Sequence, residues 1–221
     1  AASQGAVGDE VVWNQLLVPG PAEVEEVSFT LREATRTATF WLLCLIQGVN
    51  SIANTGIHFH TVPHFTDVGI STAVAASTVS VFTMSQAIAV FSVGALAERV
   101  SAKRLLLGSL LTLALGAFLI SEADSAADAY LSVAVYGSSV GSSILLYNVV
   151  WADFFGRKHL GSIRGASLAF QLIGNASGSL IAAVLYDMNG DYSTAFTITV
   201  AGILMAFGML LLARRPQMKQ A

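Results

Sequence analysis

Eleven Lys and Arg residues fall into four clusters along this 221-residue chain, and long apolar stretches separate each cluster from the next. The clusters are Arg32 and Arg36; Arg99, Lys103 and Arg104; Arg157, Lys158 and Arg164; and Arg214, Arg215 and Lys219. Crossing a bilayer takes about 20 mostly apolar residues per helix. Six stretches qualify, near 39–61, 71–95, 104–121, 129–151, 166–186 and 195–213. Six crossings put every basic residue on one side. The turns on the other side, 62–70, 122–128 and 187–194, hold Asp67, Glu122, Asp124, Asp128, Asp187 and Asp191 and no Lys or Arg. Short loops rich in Lys and Arg mark the cytoplasmic face, because the basic bias orients helices during insertion. Five or seven crossings would place a basic cluster outside. The chain therefore reads as an all-α membrane protein with six transmembrane helices, lying in the plasma (inner) membrane with both ends cytoplasmic.

Composition agrees: 54% hydrophobic, 11% charged and a mean hydropathy of +0.67, against roughly 25% charged in an ordinary soluble domain. No basic stripe points to nucleic acid. Cys44 is the single cysteine, so neither a disulfide framework nor a thiolate metal site is expected. Residues 1–27, rich in Gly, Pro, Ala and acids, read as a flexible cytoplasmic linker. They lack an initiator Met and a signal-peptide pattern, as expected of part of a longer protein. Residues 28–215 form the six-helix domain and 216–221 a cytoplasmic tail. Thr30 and Glu33 have capping-box spacing, and Phe29, Arg32, Arg36 and Trp41 suit a short interfacial helix leading into the first span.

Polar side chains in hydrocarbon are costly and tend to face a cavity or another helix. Gln47, Asn50, Asn54 and His58 follow one another at three, four and four residues, one face of the first span. Tyr136, Ser139, Ser143 and Tyr147 repeat that spacing in the fourth span, and Ser167, Gln171 and Asn175 follow at four and four in the fifth. Interhelical hydrogen bonding explains Ser and Thr in such places. The amides bring more donors and acceptors than a helix contact needs, which points to a solute pathway along Gln47, Asn50, Asn54, His58, Gln171 and Asn175, with Tyr136, Ser139 and Ser143 on it. His58 is a candidate carrier of a coupling proton, since imidazole titrates near neutral pH. A metal site on His58, His60 and His64 is disfavoured, because positions 58 and 60 face nearly opposite ways on a helix and Pro63 interrupts the turn. No cofactor is expected.

Gly137 with Gly141, and Gly174 with Gly178, have the spacing that lets membrane helices approach closely. Gly137-Ser-Ser139-Val-Gly141 also matches the G-x-S-x-G of serine hydrolases. That rival, an intramembrane hydrolase, needs a strand–turn–helix elbow, and this stretch lies mid-span.

The loop after the second span, Gly94-Ala-Leu-Ala-Glu98-Arg99-Val-Ser-Ala-Lys103-Arg104, resembles the G-x-L-a-D-R-x-G-R-[KR] signature of the major facilitator superfamily, departing from it at Ser101 and Ala102. Thr30-Leu-Arg-Glu-Ala, the run from His60 to Gly69, the run from Phe155 to Gly165, and Leu185 to Tyr192 resemble the C-terminal half of its monocarboxylate and oxalate-transporter-like branch. The resemblance implies half of a major facilitator fold, two inverted three-helix repeats working against a missing N-terminal six-helix half. It implies a secondary active transporter moving a small solute by alternating access, and no enzyme. It also implies a cytoplasmic gate from Gly94, Glu98, Arg99, Lys103 and Arg104, with Asp153, Arg157 and Arg164 as partners. The positive-inside bias alone also accounts for those bases. Monocarboxylate carriers place an Asp and an Arg in the second helix of this half; by spacing those positions are Gln86 and Val90 here. An anion's counter-charge must then come from the other half, or the solute is not an anion. The alternative is a six-helix scaffold or partner half with no transport of its own.

Overall fold

The structure, a computed structural model, describes residues 28–216. The stretch read as linker and the last five residues, Lys219 among them, lie outside the described residues. Seven helices follow in order: α1 (Leu31–Ala34), α2 (Ala38–Asp67), α3 (Thr72–Ala97), α4 (Ala102–Ser121), α5 (Ala126–Phe155), α6 (Leu160–Asn189) and α7 (Ser193–Leu212). The six from α2 to α7 are long and apolar enough to cross a membrane. No strand occurs among the described residues.

Local chemistry sets the helix ends. The capping box forms at α1: Thr30 N–H donates to Glu33 Oε2 at 2.8 Å, and Glu33 N–H donates back to the Thr30 hydroxyl. Thr37, Ser71 and Ser125 accept first-turn amides of α2, α3 and α5. Gly156 and Gly190, at φ 77° and 78°, close α5 and α6 in conformations that side chains disfavour. The expected turn 62–70 is corrected here, for α2 runs through Pro63 to Asp67. The amides beyond the proline still find acceptors, Val68 N–H on His64 O at 3.1 Å and Ile70 N–H on Phe65 O at 2.9 Å. The fourth and fifth spans likewise start before and end after the apolar stretches 129–151 and 166–186.

The packing is that of an inverted repeat. The triplets α2–α3–α4 and α5–α6–α7 have helices of 30, 26 and 20 residues and 30, 30 and 20 residues. Helix α3 packs on α5 as α6 packs on α2; α4 lies on α5 as α7 lies on α2; and α4 touches α7. Exchanging the triplets maps this pattern onto itself. Helices α2 and α5 are the most buried, whereas α3 and α6 leave most of their surface uncovered.

The glycine pairs make the two long contacts possible. A Cβ at Gly137 would lie 2.7 Å from Phe82 O, and one at Gly141 would collide with Gln86 O, so α5 meets the α3 backbone directly. Gly174 and Gly178 of α6 meet the carbonyls of Gly48 and Ile52 on α2 in the same way. An aromatic cluster of Phe29, Phe40, Trp151 and Phe155 fills the basic end, with Phe29 N–H donating to Phe155 O at 2.9 Å.

Candidate functional site

Gln47 is buried, and its amide joins three helices. Trp151 Nε1–H on α5 donates to Gln47 Oε1 at 3.2 Å, and Gln47 Nε2–H donates to Gln171 Oε1 on α6 at 3.0 Å. Two turns further along α2, the Tyr136 hydroxyl reaches the Asn54 carbonyl and Oδ1, each at 3.2 Å. Between these two crossbars, Asn50 Oδ1 and the Tyr147 hydroxyl are buried with no protein partner. Such orphaned atoms are uncommon in native structures. Asn175 stands half-buried on α6, one turn beyond Gln171. His58 is exposed, its ring 4.6 Å from that of Phe82, and it lines a small cavity of about 20 Å³ with Thr61, Thr78 and Tyr136.

The serines expected on this pathway are placed elsewhere. Ser109 Oγ on α4 contacts Ser143 Oγ and donates to Ser139 O, both at 2.9 Å, while Ser139 Oγ donates to Tyr136 O. Ser139 and Ser143 therefore belong to the α4–α5 contact. Ser139 sits about 60° around the helix from Tyr136 at 3.6 residues per turn, and a hydroxymethyl group reaches only its nearest neighbour, whereas a phenol spans to α2. Because Ser139 lies inside a helix whose flanking glycines are packing surfaces, the G-x-S-x-G run forms no nucleophile elbow.

At the basic end, Glu98 and Arg99 are exposed at the close of α3, and Gly94 faces the Leu145 side chain. Lys103 Nζ donates to Leu211 O at 3.1 Å and to Ala213 O, capping the end of α7. Asp153 pairs with Arg215 at 4.0 Å, both side chains exposed. So the structure ties Lys103 and Asp153 to the segment closing α7. Arg157 stands in the turn after α5 and Arg164 in the first turns of α6, one of its guanidinium nitrogens buried.

At the acidic end, His64 Nε2 bonds Ile120 O of α4 at 3.0 Å and its ring packs on Phe196, while His60 Nε2 bonds Ser179 O of α6 at 3.1 Å and its ring lies 5.1 Å from Tyr192. The three histidines diverge, and no group of three His, Cys, Asp or Glu side chains able to hold a metal occurs among the described residues. Burial first, then the Asp67 carboxylate, raises the Tyr192 phenol above its ordinary range.

The family model described as Major Facilitator Superfamily matches residues 40–221. The chain belongs to that superfamily. A search of curated proteins finds no match. Major facilitator proteins are transporters rather than enzymes and move small solutes, and six apolar helices in this family make an integral membrane protein. The two inverted triplets are half of a major facilitator fold. Within it, Trp151 is the polar contact that spacing missed. It continues the Ser143–Tyr147 run at four residues, and its indole N–H was the available signal.

Proposed function

We propose that this chain is the C-terminal half of a secondary active transporter that moves a small solute by alternating access, with a separate N-terminal six-helix half. What carries this reading is the uncharged polar network inside the membrane, Trp151–Gln47–Gln171 and Asn54–Tyr136, with Asn50 and Tyr147 left unpaired between them. Helix packing alone leaves such groups satisfied; a pathway needs some of them free. The other half packs on the uncovered sides of α3 and α6, where Met84, Ile88 and Phe91, and Leu172, Ile173 and Leu180, are exposed. The solute runs past Gln47, Asn50, Asn54, His58, Tyr136, Gln171 and Asn175. His58, beside the α2–α3–α5 cavity, carries the coupling proton.

Glu98 and Arg99 close the inner side, and the four basic clusters face the cytoplasm across the plasma membrane. Resemblance to the monocarboxylate and oxalate branch favours a small organic solute. Because Gln86 and Val90 stand where that branch has charges, a carboxylate draws its counter-charge from the N-terminal half. In proteoliposomes, full-length protein loses at least about ten-fold of its uptake on Asn54→Leu or Gln171→Leu, the scale of one lost buried hydrogen bond. Unchanged uptake in both variants returns the network to packing. Uptake driven by an imposed proton gradient is abolished in His58→Ala, and gradient-independent uptake removes the coupling role.

A further inference from the structure

An inverted repeat implies that a groove in one triplet has a counterpart in the other, and two such grooves are present. One lies between α6 and α7 over α2, about 190 Å³, and its walls include Val49, Ile52, Ile181, Leu185, Ile198 and Met205. The other lies between α3 and α4 over α5, about 250 Å³, with Val93, Arg104, Gly108, Thr112, Ser138 and Ser142 on its walls. Exchanging the triplets carries α6, α7 and α2 onto α3, α4 and α5, and it inverts depth: the first groove lies toward the acidic end and the second toward the basic end. Their chemistry differs. The first is apolar apart from Thr199; the second pairs a guanidinium with a run of hydroxyls.

We propose that the α3–α4 groove is a phospholipid site, the lipid phosphate resting on Arg104 and one acyl chain running past Gly108. Arg104 lies in the first turn of α4, at the depth of the bilayer interface, and is exposed. No carboxylate pairs with it among the described residues, and the adjacent Lys103 is engaged by the α7 carbonyls. A guanidinium fork matches phosphate oxygens. Here Thr112, Ser138 and Ser142 donate to carbonyls of their own helices, bonds a hydroxyl can exchange for an ester oxygen. At Gly108 a Cβ would meet nothing within 4 Å, so the space beside it is open to the chain. The groove opens between α3 and α4 at Val93, about half a turn around α3 from Met84 and Ile88, so it lies away from the surface proposed for the other half.

The test is native mass spectrometry of the purified full chain titrated with dioleoyl phosphatidylglycerol. One tightly held lipid is expected on the wild type. Arg104→Gln weakens its retention about ten-fold, the scale of one charge-assisted hydrogen bond. Gly108→Leu, whose Cβ meets nothing within 4 Å and whose longer side chain takes up groove space, weakens it to a similar extent, and Thr199→Leu in the counterpart groove leaves it unchanged. Circular dichroism checks that all three variants keep wild-type helicity. Wild-type retention in Arg104→Gln overturns the phosphate contact, and wild-type retention in Gly108→Leu overturns the placement of the chain.

Discussion

Gln47 serves two helices at once, so its loss is felt twice. In Gln47→Leu the Trp151 indole loses its acceptor and Gln171 Oε1 its donor. An interhelical hydrogen bond in a membrane averages about 0.6 kcal/mol, but a buried group left unpaired costs about 1–3 kcal/mol. Thermal unfolding in detergent, followed by tryptophan fluorescence, is expected to register a loss of about 2 kcal/mol. Asn148→Leu, at an exposed amide bonded to its own helix at Ile144 O, is expected to change little. Glu33 gives a pH dependence. Hydrogen bonds from the Thr30 amide and hydroxyl hold its carboxyl below the usual range. A lowered folded-state value means the capping box contributes above the unfolded value and is lost as pH falls through the folded one. The protection of the Thr30 amide, its hydrogen-exchange rate relative to the intrinsic rate at the same pH, is expected to fall on acidification in the wild type and to lose that dependence in Glu33→Gln. The amide stripe was legible at this scale because Gln47, Asn50 and Asn54 repeat at helical spacing. Trp151 was hidden because hydropathy counts it as apolar. Ser139 and Ser143 were misplaced because spacing fixes a face only to within some tens of degrees, and side-chain reach decides the partner.

At the scale of the helix, the six spans were legible from hydropathy, whereas their ends were not. Ser125 and Gly190 set boundaries by backbone chemistry outside the apolar stretch, and Pro63 interrupts a sequence pattern without ending α2. The glycines show a second limit, since spacing alone does not say which of them touches a neighbour. Gly141 meets the Gln86 carbonyl, while a Cβ at Gly165 meets nothing within 4 Å. Gly141→Ala is expected to destabilise by about 1–3 kcal/mol through overpacking. Gly165→Ala is expected to stabilise by up to about 1 kcal/mol through helix propensity. Unfolding midpoints of the two variants should move in opposite directions; a shared direction would contradict the assigned contacts.

For the whole molecule, orientation rests on the segregation of charge and is open to a direct check. In a Cys44→Ser background, a single cysteine at Lys158 is expected to react with an impermeant maleimide only after cells are permeabilised, and one at Asp124 in intact cells; the reverse pattern would invert the assignment. The helix lengths carry a further consequence. Helices α4 and α7, 20 residues each, touch one another and span about 30 Å, the depth of an average hydrocarbon core. Helices α2, α5 and α6, 30 residues each, run about 45 Å and can only lean or protrude. The short pair therefore acts as a gauge of bilayer thickness. A membrane of longer-chained lipids strains α4 and α7 first, while the helices bearing the polar network adjust by changing tilt.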